Sequence, residues 1–165
     1  MPRRCSLAVV SPEANAFATE VVSRLSQLGA VQAHLMDPAA DKSLPQVVRS
    51  LAVAYGSGAN LDFGNLPDVQ LSDTSMQTLS LCYGELATNS LKYGAFRHGG
   101  RIYVEGAALA GFVDLSWSED TELGDGRAGG QGLVLIDRLI TTAGGSFQRE
   151  VRTGKMIVTV KLPIV

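Results

Sequence analysis

The chain has 165 residues and a formal net charge of −2, with 45% hydrophobic and 18% charged residues. That length and apolar content suit a compact folded chain and exclude an intrinsically disordered one. The lack of a basic excess speaks against a nucleic-acid binder, and no apolar run reaches the roughly 20 residues of a membrane span.

The opening MPRRCSLAVV offers only Leu7 to Val10 as an apolar stretch before Ser11-Pro12, too short for the core of a signal peptide. The two cysteines, Cys5 and Cys82, fit neither a disulfide framework nor a zinc site. These features read as a reduced, cytoplasmic protein. Glycine is the informative excess: of 18 in the chain, Gly124, Gly126, Gly129, Gly130 and Gly132 crowd into one short loop.

In chain order, Glu13 to Met36 reads as a helix, because Phe17, Val21, Leu25, Leu28, Val31 and Leu35 recur at spacings of three and four. Asp37-Pro38 ends it. A second helix is expected from Ser43 to Tyr55, with Ser43 as cap and Pro45 in its first turn. These two helices suit a hairpin. Leu61 to Phe63 and Val69 to Leu71 read as short strands around the turn Gly64-Asn65-Leu66-Pro67. Ser72 or Asp73 then caps a long helix to about Tyr93. Arg101 to Glu105 and Phe112 to Trp117 alternate as strands, and the glycine-rich loop follows. Leu133 to Thr142 reads as a helix closed by Gly144-Gly145. Ser146 to Val151 and Lys155 to Leu162 form a last hairpin, turned at Thr153-Gly154. The expected class is α+β: a helical hairpin over residues 1–58, then a two-layer sandwich of helices on a mixed sheet over residues 59–165.

Three elements of this pattern can carry chemistry. On the long helix, Glu85, Asn89 and Lys92 fall within about 60° of one another at 100° per residue, beside an apolar face of Met76, Leu79, Tyr83 and Leu86. A carboxylate, an amide and an ammonium in one stripe suit a metal–phosphate ligand, and equally a solvated helix face. Gly129-Gly130-Gln131-Gly132-Leu133 opens a helix, where backbone N–H groups favour an anion. No Gly-Lys-Ser/Thr follows and the G-x-G-x-x-G spacing is missing, so it is neither a Walker loop nor a dinucleotide fingerprint. Trp117-Ser118-Glu119-Asp120 ends a strand. A carboxylate there can accept from an exocyclic amine such as that of adenine, or stand in a solvated acidic turn.

Their order adds a resemblance. Glu85-Leu86-Ala87-Thr88-Asn89-Ser90-Leu91-Lys92-Tyr93-Gly94-Ala95 closely resembles the N box of the HWE subgroup of histidine kinases, E-L-x-T-N-x-x-K-Y-G-A. Leu115-Ser116-Trp117-Ser118-Glu119 is similar to that subgroup's L-x-W-x-E strand, and Gly130-Gln131-Gly132-Leu133-Val134-Leu135-Ile136 to its second glycine box. The likeness covers about residues 70–165. Upstream, Ser23-Arg24-Leu25 through Ala33-His34-Leu35 resembles a segment of the family's dimerisation helices. His34 then matches a histidine that is not the phosphoacceptor. Nothing in the chain matches the family's acceptor motif, like H-R-V-K-N, and that position would fall at or before Met1. Where the family continues E-x-G-G-P, this chain has Glu119-Asp120-Thr121-Glu122.

The resemblance implies an ATP-binding sandwich of the type shared with gyrase and Hsp90, behind a degenerate dimerisation hairpin. Glu85 would act at the γ-phosphate and Asn89 would hold Mg²⁺. Lys92 and Tyr93 would line the phosphate side, Glu119 would meet adenine, and Gly130 and Gly132 would shape the lid hinge. It also implies a homodimer through the N-terminal helices, with a response regulator receiver domain as partner and neither nucleic acid nor membrane. The activity implied is that of an ATP-dependent protein histidine kinase of two-component signalling. The missing acceptor motif and altered glycine box leave open a non-catalytic adaptor that binds a response regulator. A serine-kinase anti-sigma factor of the same ATPase superfamily is the third alternative.

Overall fold

The structure is a computed structural model that describes residues 41–54, 60–121, 131–152 and 154–165, with Thr19, Val22, Ser26, Gly29, Ala33 and Asp37 upstream. Thr19, Val22, Ser26, Gly29 and Ala33 are helical and exposed, in line with a helix there. The apolar positions predicted for that helix, and His34, lie outside the described residues.

The first complete element, α1 (Leu44–Ala54), begins where Asp41 accepts the N–H of Ser43 at 2.8 Å. Its face of Leu44, Val47, Val48, Leu51 and Ala52 is buried in the same core as the rest of the fold. The helix expected to complete a hairpin therefore shares its core with the sandwich from Leu44 onward. The strand β1 (Leu61–Phe63) follows. Val69 to Leu71 does not continue as a strand. Gln70 and Leu71 make single bridges, to Ser43 and Ile164, so their backbone groups are used one at a time and no ladder forms.

The long helix α2 (Asp73–Tyr93) starts on the Ser72 hydroxyl, which accepts the Ser75 N–H at 3.1 Å. Its apolar positions Met76, Leu79, Cys82, Tyr83 and Leu86 are buried against the sheet. Burial and the nearby negative charge of Glu85 push the Cys82 thiol up to about 12. The helix stops at Gly94, whose backbone is extended and whose N–H bonds the Ser90 carbonyl at 2.9 Å. A one-turn helix, α3 (Ala95–His98), ends on Gly99 in the left-handed region; periodicity gave no sign of it, because four residues are too few to show a period.

Strands β2 (Ile102–Leu109) and β3 (Phe112–Asp120) pair antiparallel along their whole length, from Ile102 opposite Glu119 to Leu109 opposite Phe112. β2 thus runs past the expected end at Glu105. Gly106-Ala107-Ala108 has little strand propensity, and cross-strand pairing supplies what propensity does not. Ala110 (φ 52°) and Gly111 (φ 80°) turn the hairpin, both in the left-handed conformation that matches strand twist. Helix α4 (Gln131–Thr142), then β4 (Ser146–Arg152) and β5 (Lys155–Pro163), complete the chain. The sheet order is β1-β2-β3-β5-β4, with β1 parallel to β2 and every other pair antiparallel. Val113, Leu115 and Trp117 of β3, and Met156, Val158, Val160 and Leu162 of β5, alternate onto the helix-covered face. This is the expected α+β sandwich with a mixed sheet. Among the described residues no helix is long and apolar enough to cross a membrane.

Candidate functional site

Helix α2 changes character along its length. Its first three turns face the core; from Glu85 onward a polar edge emerges. Glu85 and Asn89 are half-buried, while Lys92 and Tyr93, the latter 49% exposed, face outward near the helix end. The stripe read from the sequence is thus graded, from a sheltered carboxylate and amide to an exposed ammonium. The Lys92 carbonyl accepts from Arg97 Nη1 at 3.0 Å, which closes the end of the helix.

The Glu85 carboxylate lies against the first turn of α4. A Cβ placed on Gly132 would overlap it, so only glycine allows this approach. The structure therefore brings together the N-box-like helix and the start of the second glycine motif. Gly130 lies outside the described residues.

Glu119 sits at the end of β3, pressed against the junction of α2 and α3. It is 2% exposed, which rules out the solvated turn. Its Oε2 accepts the Ala95 N–H at 3.2 Å, and a Cβ on Gly94 would come within 2.5 Å of the same oxygen. Burial raises the pKa of the carboxyl above the usual range. Hydrogen bonds from the Ser90 hydroxyl and the Ala95 N–H act against this, as does the positive charge of Arg149. The Trp117 indole N–H acts in the same direction without reaching hydrogen-bonding geometry. The junction is stitched twice more: Gly94 bridges Thr121, and the Thr121 hydroxyl donates to the Tyr93 carbonyl at 3.3 Å.

Ser90, Gly94 and Thr121 were not singled out from the sequence. Gly94 and Ser90 fall inside the motif Glu85 to Ala95, but their partner Glu119 is a distant strand residue that no helical spacing reveals. His98, at the end of α3, is exposed.

The donor set fits a nucleotide. A buried carboxylate held by protein donors offers an acceptor to an exocyclic amine, and a half-buried amide beside a carboxylate offers oxygens to a hard cation. Among the described residues no three His, Cys, Asp or Glu side chains gather as a metal cage. A divalent ion at Asn89 would take its other ligands from phosphate oxygens and water, as Mg²⁺ commonly does.

No family model matches the chain. Over 104 residues it is 31% identical to blue-light-activated histidine kinase 1 of Erythrobacter litoralis, a match covering 59% of this chain and 29% of that protein. The matched region is thus less than a third of this relative. Among solved structures, the histidine kinase domain of an Erythrobacter litoralis blue-light-activated histidine kinase aligns with a TM-score of 0.64 at 15% identity, covering 94% of this chain and 87% of that one. The Acinetobacter baumannii histidine kinase AdeS gives 0.62 at 17%, over 92% and 81%. The catalytic domain of the histidine kinase ThkA gives 0.60 at 15%, over 73% and 93%. The structures share the fold, and the sequence match bears out the resemblance drawn from the motifs.

Proposed function

We propose that the chain is an ATP-binding domain of the sensor histidine kinase type, which binds ATP–Mg²⁺ along α2 and takes part in phosphoryl transfer within two-component signalling, a reading that the sequence match and the shared fold support. The observation that supports this most is the meeting of Glu85 with Gly132, two motifs 47 positions apart joined at one point. In this reading Glu85 orients or activates at the γ-phosphate, Asn89 holds Mg²⁺, and Lys92 and Tyr93 line the phosphate side. Glu119 receives the adenine amine, and Gly130 and Gly132 form the hinge of the glycine loop. Bound Mg²⁺ would neutralise charge on the phosphates. Because α1 is committed to the core, the helical residues before it are the segment available to pair with a second copy. The partner is the receiver domain of a response regulator.

Calorimetric titration tests this. The wild type should bind ATP in a Mg²⁺-dependent way, and Asn89→Ala should abolish that dependence with the fold intact. Equal binding by both would refute the role given to α2. One observation supports the non-catalytic adaptor instead. Thr121 stands where the resembling family has a glycine, and it is buried with its N–H bonded to the Gly154 carbonyl at 2.9 Å. A wild type that binds no ATP would select that reading.

A further inference from the structure

The buried junction around Glu119 contains a hydroxyl that the proposed function does not use. Ser90 is fully buried on α2, one residue beyond Asn89. Its Oγ accepts the Phe96 N–H at 3.1 Å, while the preceding amide, Ala95 N–H, donates to Glu119 Oε2 at 3.2 Å, so consecutive amides tie the hydroxyl and the carboxylate to the same turn. A hydroxyl that receives through a lone pair still has its proton to give, and the Ser90 hydroxyl favours the charged form of Glu119. The Ala95 N–H holds Glu119 Oε2 from the adjoining residue. Gly94 leaves no room for the carboxylate to move toward the helix end. Glu119 is one methylene longer than an aspartate, so its head group has an extra torsion to be fixed. Ser90 and the backbone at Ala95 are the groups that fix it.

We propose that Ser90 is a positioning residue that aims the Glu119 carboxylate as acceptor for the exocyclic amine of adenine. This rests on the nucleotide reading above and adds to it the residue that sets base discrimination. Removing the hydroxyl takes away a charge-assisted hydrogen bond, so the carboxylate loses both its aim and part of what keeps it ionised. Arg149 on β4 is the charged side chain whose field acts on Glu119, and it is unchanged by substitution on α2.

The test compares ATP with purine riboside triphosphate, which lacks the amine, on wild type, Ser90→Ala and Ser90→Cys. The Glu119 side-chain carboxyl is followed by ¹³C NMR across pH in parallel. Wild type should prefer ATP. Ser90→Ala should lose about tenfold of that preference, the scale of one hydrogen bond to a charged group. Its Glu119 should titrate at higher pH than in the wild type, and Ser90→Cys, with its weaker donor, should fall between. A merely structural serine would weaken both nucleotides alike. Unaltered preference and unaltered Glu119 titration in Ser90→Ala, with the wild type binding ATP, would overturn this inference alone. Absence of ATP binding by the wild type would overturn the nucleotide reading and this inference with it.

Discussion

Glu85 meets Gly132 and Glu119 meets Gly94, so two carboxylates in this fold lie where a β-carbon would otherwise stand. The surroundings of the two are not alike. Glu119 is buried, its Oε2 bonded by the Ala95 N–H, and the chain around it is tied by Gly94–Thr121 pairing. Glu85 is half-buried on an open helix edge, and its glycine belongs to the first turn of a separate helix. A glycine beside a fixed carboxylate is a condition of folding. A glycine beside a half-buried one, where two helices meet, is a condition of placement. The same residue type thus serves stability in one region and geometry in the other.

The largest expected effect sits between them. Leu86, next to Glu85 but facing the core, should cost about 2–5 kcal/mol when changed to Ala, because the cavity cannot fully collapse. Denaturant unfolding would measure it, and a much smaller loss would mean that the helix edge and the core are less distinct than described. Next come the two glycines. Gly94→Ala should cost about 1–3 kcal/mol, since Glu119 cannot step aside without losing its donors. Gly132→Ala should change stability by no more than about 1 kcal/mol, as the group met is the far end of a flexible, half-buried side chain and alanine favours the helix. It should nonetheless displace Glu85 and weaken the Mg²⁺-dependent binding of ATP proposed above, as calorimetric titration would show. Similar stability losses in the two variants would break the comparison.

A smaller effect concerns pH. Folded Glu119 holds its proton to higher pH than it does unfolded. The folded state therefore binds more protons just above the ordinary carboxylate range, and stability falls as pH rises through that window. The contribution is full below the unfolded value and is lost as pH passes the raised folded one. Melting temperatures of Glu119→Gln should decline less than those of the wild type over this window. The same variant should bind ATP about 1–3 kcal/mol more weakly, as expected for a hydrogen bond to a charged group. The expected effect at the histidines is nil. His98 is exposed, with Arg97 and Gly99 as its sequence neighbours, and His34 stands between Ala33 and Leu35 in the sequence. Incubation with γ-labelled ATP should leave no acid-labile label on either; label on one of them would mean a complete kinase.

The sequence revealed best what local chemistry decides. Ser72 as cap, the buried run from Met76 to Leu86 and the alternation of Lys155 to Leu162 all follow from spacing, and the structure has them. What pairing decides was hidden. Gly106-Ala107-Ala108 is a strand because β3 lies beside it, and Val69 to Leu71 is not one because no partner runs along it. The candidate site divides the same way. Glu85, Asn89 and Lys92 share an edge by helical arithmetic, whereas the contact of Glu119 with Ser90 and Ala95 joins a strand to a helix end and leaves no trace in a linear pattern.

Cys82 lies within this core, one turn before Glu85, with its thiol pushed up to about 12 and its side chain closed off from water. A thiol in that state does not react with disulfide reagents, because the nucleophile is the thiolate and the reagent cannot reach it. Its modification requires α2 to lift from the sheet. With Cys5 replaced by serine, the labelling rate of Cys82 becomes a clock for that opening, counting how often the helix that carries Glu85 and Asn89 leaves its seat. A ligand that grips this helix would slow the clock, so the chain holds its own reporter of binding without any dye or tag being added to the site.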